Sequence, residues 1–446
     1  MVDVVAFLDE GLGHSSYVVD LGEGRALIID PPRFPEAHIA EADARGLQIA
    51  FTADTHSHAD YISGSPTLAQ RGATFLASKD ARLEVTHHDV SAGEELELRP
   101  GLVMRAIATP GHTPDHLAYL ISENDRPVAL FSGGSLMVGT VGRTDLLGDD
   151  RREELAHRLY RALHEEILTL PDDVAVYPTH GAGSFCSAPG ATERATTIGR
   201  ERATNPLLRI DDEDDFVGQL LAGFGSFPTY FRRLPEVNRQ GPRIYEHVPA
   251  LSSLDVTHVQ RLLADGAVLI DARPIEHFAI GHIPGALSIE LRPVFASWLG
   301  WLVDPDRKLI FVLDDDQDRT ELVRQCLDIG CEHLAGELHS GMSAWRAAGL
   351  TEARIELVDA QHIGSLVLDV RQANEYTSGH IPDALNVGLG DLPNAAVPDG
   401  PITVMCGHGE RAMTGASILA ARGRVDVSVL RGGPADWSHA TGRALE

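Results

Sequence analysis

Residues 53–61 read Ala53-Asp54-Thr55-His56-Ser57-His58-Ala59-Asp60-Tyr61 and follow the apolar run Leu47–Phe51. This run predicts a buried strand, so the polar residues begin where the strand ends. Two imidazoles and a carboxylate at alternate positions of an extended loop can converge on one cation. Neutral imidazole suits Zn, Fe, Ni or Cu, and a nearby carboxylate can bind the metal or orient a histidine. The stretch therefore predicts a metal site at the end of a strand.

The composition narrows the class of protein. A chain of 446 residues indicates about two to four domains. Its formal charge of −28 argues against nucleic acid or an anionic membrane as a partner, because both require a basic surface. Uninterrupted apolar stretches stay below the roughly 18 residues that a membrane span needs. The four cysteines are too few for a disulfide framework, and the N-terminus resembles no export signal. We therefore expect a soluble, cytoplasmic protein.

Short β-like runs alternate with turns in the first half of the chain. Strands are predicted at Tyr17–Val19, Ala26–Ile29 and Leu102–Ile107. Apolar residues four apart predict one amphipathic helix over Arg151–Leu170, ended by Pro171.

Four later loops also carry small or polar residues. They are Thr109-Pro110-Gly111-His112-Thr113, Phe131–Leu136, Val141–Leu146 and Tyr177–Ser184. Together with residues 53–61, and in this order, they resemble the glyoxalase II and persulfide dioxygenase branch of the metallo-β-lactamase fold family. The segment Gly142-Arg143-Thr144-Asp145-Leu146 is the part most specific to that branch. The resemblance implies an αββα sandwich over residues 1–240, with a metal site at one edge.

Two positions depart from the family's pattern. Tyr61 stands where relatives usually have the last histidine of HxHxDH, and Gly134 stands where they have the aspartate of TGD. In two-metal relatives this aspartate bridges the metals, and the histidine binds the second one. The resemblance therefore argues against a two-metal hydrolase centre.

Persulfide dioxygenases of this branch would hold one ferrous iron between two histidines and the aspartate that is missing here. Without that aspartate, either His58 supplies the third ligand or water fills the gap, and we expect a mononuclear site on His56, His58 and His112. Asp60 and His180 are expected to support these ligands or to bind the metal themselves. The expected metal is Fe2+, with Zn2+ as the alternative. A domain that has lost catalysis and keeps only the fold is the competing interpretation.

Two further residues are candidates for chemistry near this site. Arg143 could hold the carboxylate of a thiol substrate, or it could serve only the turn in which it lies. Cys186 follows His180 by six residues and is either a small buried hydrophobe or a thiol that accepts sulfur.

Residues 250–446 contain an internal repeat. Val268–Arg273 returns as Val367–Arg371, and Gly281–Leu287 returns as Gly379–Leu385. Both copies resemble the rhodanese domain, an α/β fold with a parallel sheet. We therefore expect an α/β chain with a metallo-β-lactamase-like domain at 1–240 and rhodanese-like domains at 250–350 and 355–446.

The second copy carries a reactive loop. Cys406-Gly407-His408-Gly409-Glu410-Arg411 follows an apolar run and matches the CxxGxR loop of rhodaneses. A cysteine ahead of a helix N-terminus meets backbone N–H groups and the helix dipole, which favour its nucleophilic thiolate, as does the nearby Arg411. Gly407 and Gly409 allow the backbone to curl around the sulfur. The loop therefore predicts sulfur transfer through Cys406.

Two contrasts sharpen this prediction. Cysteine phosphatases share the architecture but use C-x5-R. Here four residues separate Cys406 from Arg411, and the smaller ring suits one sulfur atom better than a phosphoryl group. The first copy has Asp314 where the second has Cys406, so we expect it to be inactive.

The whole chain resembles the fused persulfide dioxygenase–rhodanese enzymes of bacterial sulfide detoxification. This resemblance implies that a low-molecular-weight thiol persulfide is oxidised with O2 to sulfite, and that Cys406 passes sulfane sulfur to sulfite or a thiol, with thiosulfate as a product or donor. The alternatives are a metal-dependent thioesterase resembling glyoxalase II, and a sulfurtransferase whose first domain is degenerate. The resemblance also suggests a homodimer.

Overall fold

The computed structural model describes residues 2–181, 183–186 and 193–446. Contacts divide the chain into two compact units, Met1–Val248 with Leu327–Gly330, and Pro249–Cys326 with Cys331–Glu446. Among the described residues, no helix combines the length and the apolarity that crossing a lipid bilayer requires.

The first unit is built on two β-sheets. Its strands are β1 (Asp3–Asp9), β2 (His14–Gly22), β3 (Arg25–Ile29), β4 (Gln48–Ala53), β5 (Thr74–Ser78), β6 (His88–Val90), β7 (Glu95–Arg99), β8 (Leu102–Ala108), β9 (Leu117–Glu123), β10 (Arg126–Gly133), β11 (Leu136–Met137), β12 (Thr140–Val141), β13 (Ala175–Pro178) and β14 (Thr196–Thr197). One sheet has the order β1-β2-β3-β4-β5-β6 and the other has the order β14-β13-β10-β9-β8-β7. Strands β11 and β12 form a separate hairpin.

Helices cover the outer face of each sheet. They are α1 (Glu36–Ala44), α2 (Ser65–Gln70), α3 (Arg152–Arg161), α4 (Ile198–Thr204) and α5 (Glu213–Ala222). A further short helix, α6 (Leu234–Gln240), contacts the loop after β4, where Asn238 binds the backbone of His58 and Ser63. Between the sheets, Tyr17 of one packs in the same core as Phe131 of the other. On the outer faces, Ala42 of α1 packs on the first sheet, whereas Leu159 of α3 and Phe216 of α5 pack on the second. This layering confirms the predicted αββα sandwich.

Two predicted elements differ in detail from the structure. The strand before the histidine loop runs from Gln48 to Ala53, and only its last two residues are fully buried. The long helix begins at Arg152 and passes through a π turn at Ala162–Glu166 and a 3-10 turn at Ile167–Thr169. Residues four apart drift by about 40° per step around a regular helix, so the wider π turn returns the apolar residues to the core side.

The second unit contains two parallel sheets of the same topology. The strands are β15 (Ser253–Leu254), β16 (Val268–Asp271), β17 (Leu287–Ser288), β18 (Leu309–Val312), β19 (Leu334–Leu338), β20 (Glu356–Val358), β21 (Val367–Asp369), β22 (Leu385–Asn386), β23 (Ile402–Met405) and β24 (Val427–Leu430). The sheet orders β15-β19-β18-β16-β17 and β20-β24-β23-β21-β22 are the same permutation, as the internal repeat predicts.

The helices of the second unit follow the repeat as well. They are α7 (Val256–Ala264), α8 (Ile275–Ile280), α9 (Phe295–Leu302), α10 (Arg319–Asp328), α11 (Gly341–Ala347), α12 (Ala373–Thr377), α13 (Glu410–Ala421) and α14 (Pro434–Thr441).

Candidate metal centre and sulfur-transfer loop

Loops from both sheets of the first unit meet at one edge of the sandwich. The loop with His56, His58 and Asp60 leaves the carboxyl end of β4, which pairs in parallel with β3 and β5. His112 lies between β8 and β9, whereas His180 follows β13, which runs parallel to β10. Strand direction therefore gathers side chains that lie far apart in the sequence.

Three buried histidines converge at this edge. The Nε2 atoms of His56 and His180 are 3.3 Å apart. The ring of His112 lies 5.0 Å from that of His56 and 5.2 Å from that of His180, measured between centroids. Among the described residues, one ligand nitrogen from each of the three lies within 4.8 Å of the others.

The outer ring nitrogen of each of these histidines faces a polar group. His56 Nδ1 is 2.8 Å from Thr55 Oγ1, and His112 Nδ1 is 2.8 Å from the carbonyl oxygen of Arg143. His180 Nδ1 lies 3.3 Å from Asp60 Oδ2, a separation that suits an ion pair although the alignment is too poor for a hydrogen bond. Metal-binding histidines characteristically anchor their outer nitrogen in this way.

The inward side of the cluster lacks protein partners. His112 Nε2 is buried and has no hydrogen-bond partner among the described residues. Burial first, and then the neighbouring imidazoles of His58 and His116, lower the pKa of His56 well below its usual value, so that its ring is neutral. A neutral, buried imidazole with an unpartnered nitrogen is the form that binds a metal ion. The donor set therefore fits a metal.

His58 differs from His56 in that an acidic partner raises its pKa. Its Nε2 lies 3.1 Å from Asp30 Oδ1 and 3.1 Å from the hydroxyl of Tyr61. Burial alone would lower the pKa of His58, but the charge of Asp30 and its hydrogen bond raise this pKa to about 9. At neutral pH His58 is thus a cation paired with Asp30. Tyr61, which replaces the family's last histidine, donates its hydroxyl to the carbonyl oxygen of Asp30.

The position of the lost aspartate is filled by histidine rings. A Cβ atom on Gly134 would lie 2.3 Å from Cδ2 of His112. The backbone N–H of Gly134 donates to Nε2 of His116 at 2.9 Å, and Nδ1 of His116 contacts Thr109. The sequence predictions missed His116. Its only signal is its place four residues after His112 on the same loop.

Arg143 and Cys186 are both buried in the described structure. The guanidinium of Arg143 pairs with Asp145 and donates to the carbonyl oxygens of Phe185 and Gly225. These contacts favour its structural role in the turn over a contact with substrate. Burial first, and then the charge of Asp60, raise the pKa of Cys186 well above its usual value, which favours an inert thiol over a sulfur acceptor.

A cleft of about 300 Å³ borders the histidine loops. Its floor includes Ser57, Ala59 and Thr113, which are sequence neighbours of the clustered histidines. Phe231 and the exposed Arg232 also line it. Other lining residues are charged: Asp80, Asp115, Glu236 and Arg239. The cleft therefore offers apolar surface and groups of both charges beside the candidate metal centre.

In the second unit, Cys406 lies at the base of the predicted loop, between β23 and α13. Its side chain is buried, and its sulfur accepts the backbone N–H of Gly409 at 3.1 Å. Gly409 has φ = +117°, a conformation that side chains disfavour, so its predicted role in curving the loop agrees with the structure. A Cβ atom on Gly407 would meet only ordinary contact, 3.6 Å from Arg411 Nη2, so the structure gives no steric reason for this glycine.

Arg411 does not point freely at the sulfur. Its two terminal nitrogens form a bidentate pair with the carboxylate of Glu375, at 2.7 and 2.8 Å. Burial would raise the pKa of Glu375, but the contact with Arg411 lowers it. The arginine therefore fixes the loop against α12 while it keeps its positive charge near Cys406.

The first copy of the repeat also touches this loop. The guanidinium carbon of Arg411 lies 5.9 Å from the ring centroid of Trp298, and Arg292 pairs with Glu410 at 3.3 Å. In the first copy, a glutamine side chain closes the loop that is equivalent to the Cys406 loop. Gln317 accepts the N–H of Asp314 at 2.9 Å and donates to the carbonyl oxygen of Ala272 at 2.7 Å.

Comparisons with known proteins agree with both halves of this description. The family model described as "Rhodanese-like domain" matches residues 255–348 and 353–440. The persulfide dioxygenase ETHE1 of Mus musculus is 31% identical to this chain over 205 residues, which are 45% of this chain and 73% of that protein. The chain belongs to the ETHE1 persulfide dioxygenase family. Two rhodanese-like domains make up its C-terminal half.

The chain is also similar to proteins that are named as hydrolases. A hydroxyacylglutathione hydrolase of Polaromonas sp. (strain JS666 / ATCC BAA-500) is 29% identical over 248 residues, 49% of this chain and 90% of that protein. A crystal structure of a metallo-β-lactamase from Staphylococcus aureus subsp. aureus COL superimposes with a TM-score of 0.66 at 27% identity, covering 76% of this chain and 98% of that one. Membership of the ETHE1 family therefore coexists with a clear likeness to hydrolases.

Proposed function

We propose that the chain oxidises a low-molecular-weight thiol persulfide with O2 in its first unit and transfers sulfane sulfur through Cys406 in its second. In the first reaction, one persulfide, one O2 and one water give the free thiol, sulfite and two protons. The outer sulfur loses four electrons, and O2 gains them. Membership of the ETHE1 family and the presence of two rhodanese-like domains support this assignment.

One observation carries the oxygenase half of the proposal. The imidazoles of His56, His112 and His180 converge, while Gly134 stands where a metal-bridging carboxylate would be needed for two metals. A cluster of this kind supports one metal ion with open positions rather than the paired metals of a hydrolase. Ferrous iron there supplies redox chemistry toward sulfur and O2, which Zn2+, the alternative, does not.

The chain's own residues bind and orient the reactants. The outer Nδ1 atoms of the three imidazoles are oriented by Thr55, the carbonyl oxygen of Arg143 and Asp60. Burial of the cluster excludes bulk water. The adjoining cleft is at the small end of ligand sites, so it suits a low-molecular-weight thiol. Arg232 at the cleft supplies a cation for an anionic group of such a thiol.

The second reaction uses the Cys406 loop. The thiolate of Cys406 attacks the outer sulfur of a persulfide, forming a Cys–S–S⁻ group as the S–S bond of the donor breaks and the free thiol leaves. Sulfite then takes the outer sulfur as thiosulfate and returns the thiolate. Backbone N–H groups such as that of Gly409 stabilise the negative charge on sulfur during both steps.

The decisive experiment combines metal analysis with O2 uptake on a supplied persulfide. We expect about one iron per chain and one O2 consumed per sulfite formed. Protein that binds no metal and consumes no O2, yet still transfers sulfur, would identify a sulfur carrier with a degenerate first domain and contradict the proposal.

A second candidate is a metal-dependent thioester hydrolase, which the likeness to hydroxyacylglutathione hydrolase favours. Hydrolysis needs no O2, so an anaerobic assay with a glutathione thioester separates the two candidates. We expect no thioester cleavage without O2, because the bridging carboxylate is missing at Gly134.

A further inference from the structure

We propose that His180 replaces the lost carboxylate, so that the metal is held by three imidazoles through Nε2 of His56, His112 and His180. This inference rests on the proposed function only in assuming that the first unit binds a metal. It differs from the main ligand set expected from the sequence, His56, His58 and His112, in which His180 was a supporting residue or an additional ligand.

The hydrogen bonds of Thr55 fix which nitrogen of His56 carries the proton. Thr55 has one hydroxyl proton, and its Oγ1 donates to Asp30 Oδ2 at 2.8 Å. Its oxygen can therefore only accept from His56, at 2.8 Å from Nδ1. The proton of a neutral His56 is thus on Nδ1, and its Nε2 carries a free lone pair.

The same logic applies to the other two rings. The partner of His112 Nδ1 is a carbonyl oxygen, which only accepts, so Nδ1 carries the proton and the buried Nε2 is bare. Oδ2 of the Asp60 carboxylate lies 3.3 Å from Nδ1 of His180, and its negative charge favours a proton on that nitrogen over one on Nε2. All three rings therefore direct a bare Nε2 into one place.

The distance between two of these atoms is what a metal requires. The Nε2 atoms of His56 and His180 are 3.3 Å apart, and two nitrogens at about 2.1 Å from one cation in tetrahedral geometry are about 3.4 Å apart. Without a shared proton, two lone pairs at this distance repel each other. A cation between them removes the repulsion.

His58 does not meet the same condition. An overlapping group of His58, Asp60 and His180 also lies within 4.8 Å. However, Nε2 of His58 is occupied by Asp30 and by Tyr61, both at 3.1 Å. Its buried Nδ1 has no hydrogen-bond partner among the described residues, but no group of these residues brings a ligand atom of His58 within 4.8 Å of those of both His56 and His112. His58 is therefore better placed to hold the loop than to bind the metal.

The packing around Gly134 leaves no room for the side chain of the family's aspartate. The Cβ atom of any side chain there would lie 2.3 Å from Cδ2 of His112. The ring cannot retreat freely, because its Nδ1 is hydrogen-bonded to the carbonyl oxygen of Arg143 at 2.8 Å. The ring of His112 occupies the space that a side chain at position 134 would need, so restoring the family's aspartate there should displace His112.

Titration of metal-free full-length protein with Co2+, followed by visible absorption, tests this ligand set without any substrate. We expect His180→Ala to weaken Co2+ binding by about 100-fold or more, beyond the loss typical of an outer partner. The exposed control His88→Ala should stay within about threefold of wild type. His58→Gln removes the charged partner of Asp30 but no ligand, so it should lose less than His180→Ala, within the roughly 10- to 100-fold typical of an outer partner. Gly134→Asp should weaken binding, not restore it. Thermal melts followed by circular dichroism check that each variant is folded.

His180→Cys gives a positive signal, because a thiolate ligand adds a sulfur-to-cobalt charge-transfer band that a remote cysteine cannot produce. Unchanged Co2+ affinity in folded His180→Ala, tighter binding in Gly134→Asp, or no metal binding by the wild type would each overturn the proposal. Because no persulfide is present, the result is separate from the proposed function. A three-histidine protein that consumes no O2 would refute the oxygenase and leave the ligand set intact.

Discussion

Arg411 combines a positive charge with a specific hydrogen-bonding geometry. Its guanidinium pairs bidentately with Glu375 and also lies over the ring of Trp298. Lysine would keep the charge, but it cannot form two parallel hydrogen bonds with one carboxylate. We therefore expect Arg411→Lys to lower the rate of sulfur transfer by about tenfold to hundredfold, the equivalent of one charged hydrogen bond at roughly 1.5–3 kcal/mol. The measurement is thiosulfate formation from persulfide and sulfite.

The repeat supplies a matched control for this variant. Arg319 occupies the equivalent position in the first copy, where it pairs with Glu337. Arg319→Lys should leave sulfur transfer unchanged. An Arg411→Lys protein with full activity would show that charge alone is sufficient and that the pair with Glu375 is only structural.

The sequence predicted individual reactive residues better than their partners. Cys406 and His56 stand in short patterns whose chemistry depends on residue type and order, so both were identified. His116 contacts Gly134 across 18 positions of sequence, and the tautomer of His56 depends on Asp30, which lies 26 residues before it. Such contacts depend on tertiary packing, which leaves no local pattern. For the same reason, the sequence left the role of Arg143 open.

At the scale of elements, the two rhodanese-like loops share one scaffold and differ in what fills it. Each loop follows the central strand of a five-stranded parallel sheet, and the two sheets have the same strand order. In the second copy, Gly409 offers a backbone N–H to the sulfur, whereas Gln317 stands at the equivalent place in the first copy. The side chain of Gln317 accepts the N–H of Asp314 and donates to the carbonyl oxygen of Ala272, so this loop is closed by side-chain hydrogen bonds. The first copy therefore lacks the glycine N–H that would face a sulfur atom, as well as the cysteine.

This difference predicts that a cysteine alone cannot revive the first copy. We expect the double variant Asp314→Cys with Cys406→Ser to transfer sulfur no faster than Cys406→Ser, because no glycine N–H faces the new thiol. A filter assay with a ³⁵S-labelled persulfide measures the label bound to protein. Labelling of residue 314 that sulfite can discharge would show that the reaction does not need this glycine N–H.

At the scale of the whole molecule, the proposed reactions have matching chemistry. Sulfite is the product of the first unit and an acceptor for the second. Their sum converts two persulfides, one O2 and one water into two thiols, thiosulfate and two protons. The fold families of both units were predictable from the order of their motifs, because a repeat and a series of loops constrain the fold more than single residues do. The chemical link between the units is a separate claim, and stoichiometry can test it.

Cys406→Ser should change the product without stopping the oxidation. The wild type, supplied with persulfide and O2, should form thiosulfate and consume one O2 for every two persulfides. The variant should accumulate sulfite and consume one O2 per persulfide, because the metal centre and its cleft lie in the other unit. Asp314→Ser makes a comparable change at the equivalent position of the first copy and should retain the wild-type ratio. Bimane derivatisation with chromatography quantifies sulfite and thiosulfate, while an electrode follows O2. Loss of O2 uptake in folded Cys406→Ser would mean that Cys406 takes part in the oxidation itself, which contradicts the division of labour between the two units.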